Sequence, residues 1–146
     1  MKKDTKNLKN KNILYIVHNY TSFQKDQIEE TAQYFNKVYV MVRYKPISIL
    51  ANILNIRILR KYRDENCIND RDLPKNIEIY KTAVLYLPYG FFYLFAGPLH
   101  YISVLKKIRK HKLDFDIVHS HFTWSAGYVG SKLSKAYDVP FVITAH

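Results

Sequence analysis

The chain has 146 residues, of which 48% are hydrophobic and 24% charged, a balance that allows one folded domain with a sizeable core and excludes a disordered chain. Its 4 glycines and 5 prolines exclude collagen-like and low-complexity classes, and its single cysteine excludes a disulfide framework. With 23 basic and 12 acidic residues the net charge is +11. This excess suits nucleic acid, an anionic membrane or phosphorylated substrates, but a general compositional bias explains it equally well.

The first residues, 1–12, predict a flexible basic tail ahead of a domain that occupies residues 13–146. The apolar run at 13–17 is shorter than the core of a secretory signal, which needs about 7–15 residues. We therefore expect a cytoplasmic protein.

A β-α-β pattern opens the domain. Residues 13–17 and 38–42 are short, β-branched apolar runs, which are typical of parallel strands buried on both faces. Between them Ile28, Ala32 and Phe35 share one face of a predicted helix. The connection is long enough for the two strands to pair in parallel.

The middle of the chain predicts a helix with a basic end at 47–62 and a strand at 77–80. Residues 83–105 contain no charged side chain and are long enough to span a membrane. Prolines and glycines interrupt that run, however, so we expect a loop and then an amphipathic helix. This helix should begin at Gly97 and Pro98, end near residue 112, and face the core with Ile102, Leu105 and Ile108.

The last third predicts a strand at 117–119, a helix at 125–137 and a strand at 141–144. Alternation of apolar strands with helices is typical of an open, mostly parallel α/β sheet with helices on both faces. The predicted fold class is therefore Rossmann-like.

Four histidines follow the predicted strands: His18, His119, His121 and His146. Ligands of open α/β sheets bind beyond the carboxyl ends of the strands, which meet at one edge. We therefore expect the functional site at that edge. For His18 taken alone, a structural role is the better interpretation.

The histidines leave two chemistries open. In an extended strand His119 and His121 point the same way, and with His146 they can ligate a metal. Alternatively, the imidazoles can hydrogen-bond sugar hydroxyls or phosphate oxygens beside the amides of the next helix. Phe122 and Trp124 can stack on a sugar ring or, equally well, pack against the start of that helix.

Two terminal blocks are the most specific stretches, FDIVHSHFTWSAGY at 115–128 and VPFVITAH at 139–146. They resemble the N-terminal domain of family 4 retaining glycosyltransferases, which have the GT-B fold. The opening strand at 13–17, the helix at 22–35 and the second strand at 38–42 resemble the same domain.

The resemblance implies transfer of a sugar, with retention of configuration, from a nucleotide-sugar donor to a glycan, a lipid-linked acceptor or a small molecule. It implies neither a metal nor a cofactor besides that donor. His121 would be the catalytic candidate, in the cleft near the donor sugar. The resemblance implies substrate-binding roles for His18, Asn19, Thr21, Ser22 and His146. The strand geometry and the aromatic rings discussed above add His119, Phe122 and Trp124 as substrate-binding candidates.

The sequence departs from the family in two ways. Many members carry paired glycines after the first strand, where this chain has Asn19 to Ser22, and phosphate approaches the backbone less easily without glycine. The family also needs a nucleotide-binding second domain with paired glutamates. We expect this chain to be the incomplete N-terminal half, inactive without that partner domain.

Two alternatives remain at this point. One is a metal-dependent hydrolase that uses the His-x-His pair, and the other is a non-catalytic basic binding module. No RNA-recognition motif or zinc finger occurs in the sequence, so no nucleic-acid partner is expected. Apolar residues 86–95 and basic residues 57–63 and 106–112 can rest on the anionic inner face of a membrane.

Overall fold

The structure, a computed structural model, describes residues 5–44, 68–84 and 93–145. Its five strands are β1 (Asn12–Val17), β2 (Lys37–Tyr44), β3 (Ile77–Ala83), β4 (Ile117–His121) and β5 (Phe141–Thr144). Its three α-helices are α1 (Ser22–Ala32), α2 (Tyr93–His111) and α3 (Tyr128–Tyr137). The predicted helix at 47–62 lies outside the described residues.

The strands form one parallel sheet in the order β3-β2-β1-β4-β5. The central strand β1 pairs through Ile13 with Val38 of β2 on one side and with Ile117 of β4 on the other. This confirms the predicted Rossmann-like sheet. The strand order reverses between β1 and β4, and in such folds the carboxyl ends at the reversal form the ligand crevice.

Strand alternation divides the core between the two faces of the sheet. Helix α1 covers one face, where Tyr15 and Val17 pack with Ile28. Helices α2 and α3 cover the other face, where Leu14 and Ile16 pack against side chains of both helices. The prediction of helices on both faces is confirmed.

Helix α2 begins earlier than the sequence predicted. It starts at Tyr93, so that Pro98, which has no N–H to donate, lies inside the helix rather than in its first turn. Its inward face carries side chains four positions apart: Ala96, His100, Val104 and Ile108. Ile108 was predicted to face the core and does so, whereas Ile102 is 50% exposed and that prediction was wrong. Burial of this row of side chains, which begins at Ala96, determines which side of the helix faces the sheet.

A 3-10 helix at Thr5–Asn10 precedes β1, within the segment for which the sequence predicts a tail. The amide of Lys11 donates to the carbonyl of Leu8 and closes this short helix over 2.8 Å. Within the part of the chain that the structure describes, no helix has the length and apolarity to cross a bilayer.

Candidate functional site

Both members of the His-x-His pair lie on the α1 face of β4. Alternation along the strand predicted that they share one face. The ring centroids of His119 and His121 are 4.9 Å apart, and the ring of Tyr15 on β1 lies 4.9 Å from the first and 5.8 Å from the second. His121 has no exposed surface. The two imidazoles are therefore neighbours, but the ring of the catalytic candidate is inaccessible in this conformation.

Hydroxyl groups hold the rings around His121. His119 Nε2 lies 2.8 Å from Thr144 Oγ1 on β5, and burial lowers the pKa of His119, so its imidazole is neutral at neutral pH. The hydroxyl of Thr31 donates to the carbonyl of Ile28, so the hydroxyl of Tyr15 donates to Thr31 Oγ1 over 2.7 Å. Both interactions support a structural role for this part of the cluster.

The metal hypothesis lacks a complete ligand set in the described residues. They contain no group of three or more His, Cys, Asp or Glu side chains placed to hold a metal ion. His146, the expected third ligand, lies outside them. Asp116, at the amino end of β4, accepts hydrogen bonds from Lys11 Nζ at 2.6 Å and from the Asn12 amide at 2.9 Å. Its carboxylate is thus held at the edge of the sheet opposite to the predicted site.

His18 lies on the other face of the sheet from the His-x-His pair. It follows Val17, which faces α1, so alternation turns His18 toward α2 and α3. Its ring stacks on Phe122, with centroids 4.8 Å apart and planes within 6°. His18 and the His-x-His pair, which the sequence placed together at one edge, thus lie on opposite faces of the sheet.

Arg43, which was not among the candidates from the sequence, lies near His18. Arg43 extends from β2 across β1, and its Nη1 donates to Ser125 Oγ over 3.2 Å. Ser125 Oγ is 3.5 Å from His18 Nε2, and the Arg43 guanidinium carbon is 5.5 Å from the centre of the Trp124 ring. Burial, and then the positive charge of Arg43, lower the pKa of His18 to about 4. His18 is therefore neutral at neutral pH. We call His18, Arg43, Trp124 and Ser125 the switch-point cluster.

A buried histidine of α2 lies behind this cluster. The hydroxyl of Thr82 donates to the carbonyl of Val42 at 3.0 Å, so it can only accept from His100 Nε2, 3.3 Å away. This fixes the proton of His100 on Nε2. Burial, followed by the charges of Arg43 and His18, lowers the pKa of His100 to about 3. The sequence could have pointed to Arg43. It directly follows the buried residues of β2, and the expectation that ligands bind at the carboxyl ends of the strands, which selected the histidines, applies to it as well.

A strained turn carries the aromatic candidates. Phe122 has φ 74° and ψ 146°, a region that residues other than glycine rarely occupy, at a cost of about 1–3 kcal/mol. An irregular turn, Thr123–Gly127, follows it, in which Trp124 and Ser125 have non-helical backbone angles, so α3 begins at Tyr128 and not at Ser125 as predicted. Ser120 Oγ donates to the Ala126 carbonyl at 2.8 Å and holds the turn against β4. Such strain occurs preferentially at functional sites.

The loop between β1 and α1 borders a cavity of about 560 Å³. Thr21 and Ser22 line this cavity, and Asn19 is half-buried in the same loop. On the other face of the sheet, Trp124 is 38% exposed and lines a second cavity of about 280 Å³ with Leu94 and other residues of α2 and the irregular turn.

The family of the chain follows from the region that includes the turn after β4. The sequence profile of Glycosyltransferase Family 4 matches residues 67–146, more than half of the chain. The chain belongs to glycosyltransferase family 4. The resemblance predicted from the two terminal blocks is thereby confirmed, and the match includes all of β3, α2, β4, α3 and β5 of this family 4 domain.

A curated relative agrees with the family assignment. The family 4 domain is 28% identical over 94 residues to the "Putative teichuronic acid biosynthesis glycosyltransferase TuaC" of Bacillus subtilis (strain 168). The aligned region is 62% of this chain and 24% of the relative. The match to this chain therefore covers about a quarter of that protein's length.

A solved structure supports the fold. The crystal structure of NadR protein in complex with NAD and AMP-PNP matches 94% of this chain and 38% of its own, with a TM-score of 0.55 and 14% identity. The likeness shows a shared α/β architecture.

Proposed function

We propose that this family 4 domain is the acceptor-side half of a GT-B glycosyltransferase, which moves a sugar from a nucleotide-sugar donor to an acceptor with retention of configuration. The acceptor is a glycan, a lipid-linked saccharide or a small molecule. The family match carries the proposal. The matched residues, 67–146, include β4 and the turn after it, which lie where the strand order reverses. The reaction needs a nucleotide-binding domain as partner.

The switch-point cluster suits the phosphate side of such a donor. Arg43 supplies a guanidinium beside the carboxyl end of β1, where it can pair with a phosphate oxygen. Trp124 offers a partly exposed ring for stacking on a sugar. His18, which is neutral and stacked on Phe122, can accept or donate a hydrogen bond there.

We assign His121 as the catalytic residue and place it near the donor sugar. Its ring is covered in this conformation, so contact with the donor requires the strained segment that begins at Phe122 to move. We assign His119, Asn19 and His146 to the substrate-binding side as well; His146 lies outside the described residues.

Transfer by the complete native protein tests the proposal. Each nucleotide sugar is incubated with and without candidate acceptors, release of nucleoside diphosphate is measured, and NMR gives the anomeric configuration of the product. We expect acceptor-dependent release with retention, a severe loss with His121→Asn, and a raised KM for the donor with Trp124→Ala. Lys132→Ala, on the exposed side of α3, is the matched control. Inversion, or full activity of His121→Asn, would refute the assignment, and zinc-dependent hydrolysis without transfer would favour the metal hypothesis.

We also propose a cytoplasmic location, with peripheral contact at the anionic inner face of the membrane. Four large apolar side chains of α2 are 42–71% exposed: Leu94, Phe95, Leu99 and Ile102. Exposed basic side chains follow on the same helix, which contains no aspartate or glutamate: Lys106, Arg109 and Lys110. Each basic residue near such a surface contributes about 1 kcal/mol. Residues 57–63 and 86–92 of the predicted contact lie outside the described residues.

Vesicle pelleting tests the membrane contact. At low salt we expect the protein to pellet with phosphatidylglycerol vesicles and to remain in solution with phosphatidylcholine vesicles. Leu99→Ser should weaken pelleting, whereas Val142→Ser, an equally exposed position on β5, should not. Failure to pellet with the anionic vesicles would contradict the contact.

A further inference from the structure

The cavity of about 560 Å³ beside the start of α1 lies apart from the switch-point cluster. Two connecting segments and the edge strand β3 supply its lining: Thr21, Ser22, Ile68, Asn69, Asp70, Arg71 and Lys81. By alternation with Ile77 and Ile79, Lys81 lies on the α1 face of β3. The cavity is therefore at the carboxyl edge of the sheet but on the face opposite Arg43.

Backbone interactions hold two walls of the cavity together. Tyr20 forms a parallel bridge with Ile68, and the amide of Asn69 donates to the Tyr20 carbonyl at 2.8 Å. Lys25 Nζ, on α1, donates to the carbonyl of Arg71 over 2.7 Å. These contacts fix the backbone of two walls of the cavity, so a ligand need not order that backbone on binding.

Among the described residues of the lining, most are polar and the positive charges outnumber the negative ones. Arg71 and Lys81 come from different segments of the chain and both line the cavity, and Asp70 is the single carboxylate in this described part. Hydroxyl and amide groups make up most of the rest of it, beside the apolar side chain of Ile68. Pockets of about 300–1,000 Å³ hold small ligands, and this polarity favours a hydroxylated ligand with an anionic group.

We infer that this cavity binds an acidic saccharide, with Arg71 and Lys81 on its carboxylate or phosphate group and with Asp70 and Asn69 on its hydroxyls. Arginine binds both groups through paired hydrogen bonds, and a carboxylate accepts hydrogen bonds from sugar hydroxyls. That the saccharide is the acceptor of transfer rests on the proposed function. The binding itself does not.

Calorimetric titration of the native protein tests the site with glucuronate, glucose 1-phosphate, glucose and inorganic phosphate as probes. We expect one or both acidic sugars to bind in a saturable manner, and whichever binds more tightly identifies a uronate or a sugar phosphate as the ligand. Arg71→Gln and Lys81→Gln should each weaken that binding by about tenfold. Lys135→Gln, at an exposed position of α3, is the charge-matched control and should bind like the wild type. Equal binding by glucose, or by inorganic phosphate alone, would overturn the inference, and so would unchanged binding in both cavity variants.

The transfer assay separates this inference from the proposed function. With an acidic acceptor, the double variant Arg71→Gln/Lys81→Gln should raise the KM for the acceptor and leave the KM for the donor unchanged. If the wild type transfers sugar but the variant behaves identically, the inference fails and the function stands. If acidic sugars bind and the variant loses them while no nucleotide sugar is consumed, the function fails and the site stands.

Discussion

Arg43 on β2 donates a hydrogen bond of 3.2 Å to Ser125 in the turn after β4, although β1 lies between these two strands. The contact thus joins the two halves of the sheet at the edge where the strand order reverses. It also places a permanent positive charge near His18 and His100, whose rings are both neutral at neutral pH.

Removing that charge should change the titration of His18. In Arg43→Gln we expect the pKa of His18 to rise from about 4 but to stay below its ordinary value of 6.5, because burial is the larger cause of the shift. The pH dependence of the His18 ring resonances in NMR spectra gives the value. In Arg109→Gln, the matched control, the resonances should titrate as in the wild type. An unchanged pKa in Arg43→Gln would show that the guanidinium does not act on this ring.

The buried histidines should make the fold sensitive to mild acid. The folded-state pKa values of His18, His100 and His119 lie below 6.5, so between pH 6.5 and 4 the unfolded chain binds more protons at these positions than the folded chain. The free energy of unfolding should therefore be highest above pH 6.5 and decrease as the pH falls toward 4. Urea unfolding at several pH values measures this, and His18→Gln should reduce the slope. A stability that does not change over this range would contradict the burial of these rings.

Thr82 should contribute to stability through His100. Thr82→Val keeps the shape of the side chain but removes the acceptor of the buried Nε2–H group, and we expect the free energy of unfolding to fall by about 1–3 kcal/mol. Thr123→Val, at an exposed position, should change it by less than about 0.5 kcal/mol. Equal effects of the two substitutions in urea unfolding would rule out the assigned hydrogen bond.

Gly130 should resist substitution although it lies within α3. A Cβ atom at this position would overlap the Phe141 ring and Ser120 Oγ. Overpacking in Gly130→Ala should cost about 1–3 kcal/mol, whereas the higher helix propensity of alanine contributes roughly 1 kcal/mol in the opposite direction. We therefore expect the free energy of unfolding to fall. Lys132→Ala controls for propensity alone. A stabilised Gly130→Ala variant would mean that α3 and β4 separate more easily than their packing indicates.

The sheet was predictable because its strands are short apolar runs whose β-α-β spacing leaves little choice of pairing. The orientation of His119 and His121 followed from alternation along one strand. The first turn of α2 was missed because Pro98 suggested a helix start, whereas burial of Ala96 extends the helix toward its amino end.

The switch-point cluster was harder to predict because it depends on distant parts of the chain. Arg43 and Ser125 are 82 positions apart, and their contact requires the strand order, the register and the shape of the irregular turn at Thr123–Gly127 together. The backbone strain at Phe122 has no sequence pattern of its own, since phenylalanine is not a residue expected at positive φ. The cavity beside α1 likewise needs the bridge between Tyr20 and Ile68.

The central position of β1 also determines when the domain can fold during its synthesis. Ile13 pairs with Val38, which the ribosome adds soon afterwards, but its other partner is Ile117, far along the chain. At a translation rate of about 5–20 residues per second, β1 waits roughly 5–20 s for β4. Until then β1 lacks its second partner strand, and α3, which follows β4 in the chain, cannot yet cover its face of the sheet. Such exposed apolar surface favours transient association with other chains or with a chaperone.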